Sequence, residues 1–132
     1  MGGVRAWLLA IGASLVFGGC DRLSGILYPA NEQATRDNLE NLRSQISNFI
    51  PAHGGKPPEH LLDAFPTLPA AQPGHHFRND KVVEVCTDGK DASQLPDTGG
   101  WAYCANPNNP NVGTLVVDCT HEDSKGKRWY SY

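Results

Sequence analysis

The sequence predicts an α+β domain, with one N-terminal amphipathic helix packed on a small antiparallel β-sheet of three to four strands. Two observations carry this expectation. From Asn31 onward, apolar residues recur at helical spacing until Pro51. In the C-terminal third, two β-prone segments flank a loop of asparagines and prolines, which is the signature of a hairpin.

The helix is read from Thr35, Leu39, Leu42, Ile46, Phe49 and Ile50, which form one apolar stripe. Arg36, Asp37, Glu40, Asn41, Arg43 and Gln45 fill the other sides. Asn31 is suited to cap the start and Glu32 to meet the positive end of the helix dipole. Pro51 is a natural stop, since it lacks an N–H and clashes with the preceding turn. The stripe is too brief for a coiled-coil seam and is expected to cover a sheet.

The hairpin begins at Gly99-Gly100-Trp101-Ala102-Tyr103-Cys104. The glycines permit a sharp turn. Trp101 and Tyr103 follow at period-2 spacing, which places both rings on one strand face. Asn106-Pro107-Asn108-Asn109-Pro110-Asn111 favours turns over pairing. Gly113 to Thr120 then supplies a return strand rich in β-branched residues. Lys81 to Cys86 alternates well enough for another strand, and Glu59 to Phe65 has room for a single helical turn. The expected core is Leu39, Leu42, Ile46, Phe49, Trp101 and Tyr103.

Composition narrows the function. With 132 residues, a formal charge of −3 and no basic run, the chain reads as one domain and not as a nucleic-acid binder. No Gly-x-Ser-x-Gly elbow and no His-Glu-x-x-His pair is present, so no enzyme is expected. No cofactor is expected either. His75, His76 and His121, with Glu122 and Asp123 beside the last, invite a metal reading. Adjacent histidines on a strand point apart, and no Cys-x-x-Cys or His-x-x-x-His spacing occurs, so these are read as surface or loop histidines with no metal assigned. Asp88-Gly89-Lys90-Asp91 is acidic and turn-prone but lacks the ligand series of an EF-hand.

The N-terminus has its own grammar. Arg5 precedes an apolar run from Ala6 to Phe17, and Gly18-Gly19-Cys20 closes it. A positive charge, a short hydrophobic core and small residues before a break describe a secretory signal peptide over residues 1–19. The run is short for a membrane span, which needs about 20 apolar residues. Gly-Gly-Cys resembles a bacterial lipoprotein box, which implies acylation of Cys20 and an exported protein anchored by lipid at the periplasmic face. Asp21 beside it implies the inner membrane over the outer. The alternative is an uncleaved signal anchor with Cys20 an ordinary thiol. Residues 20–30 are read as a linker, and residues 31–132 as the folded domain.

Export permits disulfides. With Cys20 lipidated, Cys86, Cys104 and Cys119 remain, enough for one intramolecular bridge. The sequence leaves the pairing open. Cys86 with Cys104 is slightly preferred, since both sit near the ends of neighbouring strands.

Asn38-Leu39-x-x-Leu42-Arg43-x-x-Ile46, then His53-Gly54-Gly55-Lys56-Pro57-Pro58, then Asp97-Thr98-Gly99-Gly100-Trp101-x-Tyr103 together resemble the pilin-like headgroups of type IV pili and type II secretion pseudopilins. The ending, from Gly113 through Asp118, Cys119, His121 and Asp123 to Trp129 and Tyr132, is also similar to that family. The resemblance covers residues 34–132. It implies a structural or docking protein of a pilus or secretion apparatus, with pilins or secretion-system proteins as partners and the membrane reached through the lipid anchor. Ordinary pilins carry a prepilin peptidase site and a long hydrophobic helix, which this leader replaces with a lipoprotein-like one. The alternative is a lipid-anchored periplasmic binding module unrelated to filaments, in which the Asn/Pro loop, Trp101, Trp129 and Tyr130 form a contact surface.

Overall fold

Leu39, Leu42 and Ile46 follow one another at three- and four-residue steps, which stacks them on one helical face. In the computed structural model, which describes residues 17–74 and 76–132 with side chains from residue 31 onward, they lie on α1, Phe17–Ala52. The helix therefore starts before the expected boundary, and the backbone of residues 20–30, read as a linker, is helical. Pro29 within it removes only one intrahelical hydrogen bond, and the preceding Arg22, Leu23, Ile26 and Leu27 are compatible with a helix. Asn31 consequently sits inside the helix, where its carbonyl accepts a bond from Thr35 Oγ1 at 2.8 Å. The C-terminus ends one residue beyond Pro51. There Gly55 N–H donates to Ile50 O at 2.9 Å, and Gly54 and Gly55 take positive φ, closing the last turn as glycine does at a helix end.

A short helix, α2, spans Leu61–Ala64. Three strands follow, β1 (Val82–Val83), β2 (Trp101–Tyr103) and β3 (Leu115–Val117), and a 3-10 turn occupies Trp129–Ser131. The sheet order is β1-β2-β3. β2 and β3 are antiparallel, with Ala102 opposite Val116, as a hairpin requires. β1 and β2 run parallel, Val82 opposite Trp101 and Val83 opposite Ala102. The sheet is thus mixed, not antiparallel throughout. The physical reason is the connection between Val83 and Trp101, which is long enough to return the chain to the starting edge, as parallel pairing demands.

Alternation along β2 and β3 sorts side chains to two faces. Trp101, Tyr103, Leu115 and Val117 join Leu39, Leu42, Ile46, Leu61, Leu68 and Trp129 in one buried cluster. Ala102 and Val116 bury on the other side with Leu95 and Tyr130. Phe49 is only half-buried. It stacks on His53 at 3.5 Å and meets Phe65 edge-on at 6.1 Å, so it belongs to the rim of the core.

The C-terminal segment is tied to α1 by polar contacts. Arg43 donates to Leu115 O at 3.0 and 2.8 Å and to Tyr132 O at 2.7 Å. Arg36 pairs with Asp123 at 3.1 Å and lies over the rings of Trp129 and Tyr132. Buried Glu32, expected to serve the helix dipole, instead accepts bonds from Ser124 N and Oγ. Among the described residues, no helix is long and apolar enough to cross a membrane.

Candidate functional site

Beyond the N-terminal end of the hairpin, four side chains converge. Each of His76, Asp97, Cys119 and His121 offers one ligating atom, and these atoms lie within 4.8 Å of one another. Three separate segments deliver them. His76 follows Gly74 on the loop that the Ala71–Asn79 bridge closes. Asp97 occupies the turn before β2, and Cys119 and His121 leave β3 two residues apart.

The turn that presents Asp97 is built by Asp118. That carboxylate is fully buried and accepts bonds from Asp97 N at 3.1 Å, Thr98 N at 2.9 Å and Thr98 Oγ1 at 2.6 Å. Gly99 N–H adds a bond to Asp118 O at 2.7 Å. Held in this way, Asp97 adopts φ 61° and is the one non-glycine residue with positive φ among the described residues. Aspartate tolerates this region better than most residues, but the conformation still costs free energy that the surroundings offset. Gly99 provides the clearance: a Cβ there would stand 2.4 Å from His76 Cγ.

Asp97 Oδ1 accepts from Thr120 N–H at 3.0 Å and faces His76 Nε2 at 3.2 Å. Asp97 Oδ2 faces His121 Nδ1 at 3.5 Å. The same Nδ1 lies 3.7 Å from Cys119 Sγ. Burial pushes the Asp97 carboxyl up, but the Thr120 N–H and the two imidazoles outweigh it and hold the group below the ordinary carboxylate range. Burial, reinforced by Asp97 and Asp118 and opposed by the His121 backbone, raises the Cys119 thiol to about 11. Cys119 is fully buried, whereas His121 is exposed on the rim of a cleft of about 390 Å³ lined also by Pro73, Gly74, His76 and Glu122.

Cysteine, histidine and aspartate together invite comparison with a nucleophilic triad. In a triad the imidazole bridges, one nitrogen to the nucleophile and the other to the carboxylate. Here one nitrogen, Nδ1 of His121, faces both Sγ and Oδ2. Convergence on one atom, with a thiol kept protonated, does not activate a nucleophile.

The other residues singled out from the sequence fall elsewhere. Cys86 and Cys104 form a disulfide, and Cys119 is a free, buried thiol. Leu39, Leu42, Ile46, Trp101 and Tyr103 are core residues. Trp129 and Tyr130 are also buried. His75 lies outside the described residues, and so do the signal-peptide residues 1–16 and the Cys20 side chain. His76 and His121 lie in loops, His121 exposed, as the sequence leads one to expect, and the fold also gathers them with Asp97 and Cys119. Only the Cys119-Thr120-His121 spacing could have signalled the cluster, because its other members are distant in sequence.

No family model matches the chain, and no curated protein and no solved structure is similar to it at a meaningful level.

Proposed function

We propose that this protein is a non-enzymatic, pilin-like headgroup that serves as a structural or docking component of a type II secretion or type IV pilus system. In this reading it is exported and held by lipid on Cys20 at the periplasmic face, on the inner membrane in preference to the outer. The headgroup reading is supported by Leu39, Leu42 and Ile46 of α1 sharing one buried cluster with Trp101 and Tyr103 of β2, the kind of contact the resemblance implies. The observation that supports this over a ring-lined binding module is the burial of Trp101, Trp129 and Tyr130, at 0%, 0% and 8% exposure. A contact surface would leave such rings open to a partner, whereas packed rings build a core. The Asn106–Asn111 loop remains largely exposed, and it is what the binding-module alternative retains.

The test is affinity capture of the full chain from its own membranes. Recovery of pilins, pseudopilins or secretion-system proteins is the expected result. Enrichment of none of these classes, under conditions that retain known membrane complexes, would remove the docking role.

A further inference from the structure

We propose that His76 Nε2, His121 Nδ1, Cys119 Sγ and one carboxylate oxygen of Asp97 form a four-coordinate site for a divalent cation of the zinc class, zinc itself being the intended occupant. This goes beyond the docking role and does not depend on it.

The geometry comes first. Zinc bonds of about 2.0–2.1 Å to nitrogen, 2.0–2.2 Å to oxygen and 2.3 Å to sulfur give a tetrahedron with edges of roughly 3.3–3.6 Å. Among the donor atoms, His121 Nδ1 stands 3.5 Å from Asp97 Oδ2 and 3.7 Å from Cys119 Sγ, and His76 Nε2 lies 3.2 Å from the other carboxylate oxygen, Oδ1. The widest pair lies within 4.8 Å, so closure around an ion takes about an ångström of side-chain movement. Exposed His121 has the freedom to supply it.

The donor set agrees. Two imidazoles, a thiolate and a carboxylate are the mixture that borderline-soft zinc accepts, whereas magnesium and calcium favour oxygen alone. The supporting shell is already assembled. With Asp97 Oδ2 on the metal, Oδ1 keeps its bond to Thr120 N–H, and Asp118 fixes the turn behind it. Such outer partners orient ligands and strengthen their hold. Binding converts the Cys119 thiol to a thiolate and releases its proton to solvent. Four protein ligands leave no open position, so the ion is a structural clip. It joins the His76 loop, the turn before β2 and the exit of β3, three segments that are otherwise connected by hydrogen bonds.

The test uses untagged full-length chain carrying Cys20→Ser and stripped with a chelator, without reductant. The disulfide then stays closed and Cys119 is the sole thiol. Calorimetric titration with Zn²⁺ is expected to give one ion per chain and a raised Tm. His76→Ala and His121→Ala are each expected to weaken binding at least about tenfold, while His60→Ala, at an exposed histidine paired with Glu84, leaves it unchanged. Substituting Co²⁺ reports the ligands directly: a sulfur-to-cobalt charge-transfer band with tetrahedral visible absorption is expected, and Cys119→Ser abolishes the band. No stoichiometric binding, binding insensitive to His76→Ala and His121→Ala, or a cobalt complex without sulfur charge transfer would overturn the proposal. If Cys119→Ser does not fold by circular dichroism, the two histidine variants and the parent cobalt spectrum decide.

Discussion

Trp101 shows how one side chain can set the stability of a small domain. Its ring is fully buried between α1 and the sheet, and its Nε1 donates to Pro69 O at 2.9 Å, so both its apolar body and its polar edge are satisfied. Gly100 before it is equally constrained: a Cβ there would lie 2.4 Å from Lys81 O, against the strand that β2 must pair with. Replacing Trp101 with alanine should cost about 3–5 kcal/mol from lost transfer free energy and the cavity left behind. Against a total of about 5–15 kcal/mol, that brings the domain to the edge of unfolding. Denaturant titration of Trp101→Ala checks this, and a midpoint equal to the parent's would refute the packing role. This role was legible in the sequence because ring spacing and helix stripe are local patterns. The His76, Asp97, Cys119 and His121 cluster was not. Its members are gathered by the turn that Asp118 organises, and a buried carboxylate receiving three hydrogen bonds leaves no trace in spacing.

At the scale of elements, the disulfide and the strand directions constrain each other. Cys86 lies three residues past the end of β1 and Cys104 directly past the end of β2. Residues that follow two neighbouring strands meet readily when the strands run the same way, and β1 and β2 are parallel. The sequence favours Cys86 with Cys104 but also predicts an antiparallel sheet, and it is the parallel pairing of β1 with β2 that brings both cysteines to the same end. The early start of α1 is not legible because the apolar stripe begins only at Thr35, and the clamps made by Arg36 and Arg43 are not because amphipathic patterning assigns charges to the outside. The bond closes a loop with a sequence separation of 18. In the chain-entropy account, opening a loop of this size costs about 3 kcal/mol. The double variant Cys86→Ser, Cys104→Ser should therefore lose about 2–4 kcal/mol in denaturant titration. A loss below about 0.5 kcal/mol would mean that the crossover is already fixed without the bond.

For the molecule as a whole, alkaline pH is a probe of how completely the two faces of the sheet exclude water. Tyr103 is fully buried at the end of β2, and its hydroxyl donates to Pro58 O at 2.6 Å. Burial first, and Glu84 second, push its phenol from the ordinary 10.0 up to about 12. The folded state thus keeps a proton that the unfolded chain releases above about pH 10. Fewer protons bound on unfolding means that stability falls as pH rises. The contribution is complete below pH 10 and is lost progressively as pH climbs towards about 12, with a total on the order of 2 kcal/mol. The Cys119 thiol, raised to about 11, adds a loss of the same sign that begins lower. Comparing the parent with Tyr103→Phe cancels that part, since both retain Cys119. Below pH 9 the variant should be the less stable of the two by about 1 kcal/mol, having left Pro58 O without its donor. Between pH 10 and 11 the parent's stability should fall more steeply, so the two curves approach one another. Parallel curves across that interval would show that the phenol reaches water in the folded protein, and that the core around β2 is more open than its packing implies.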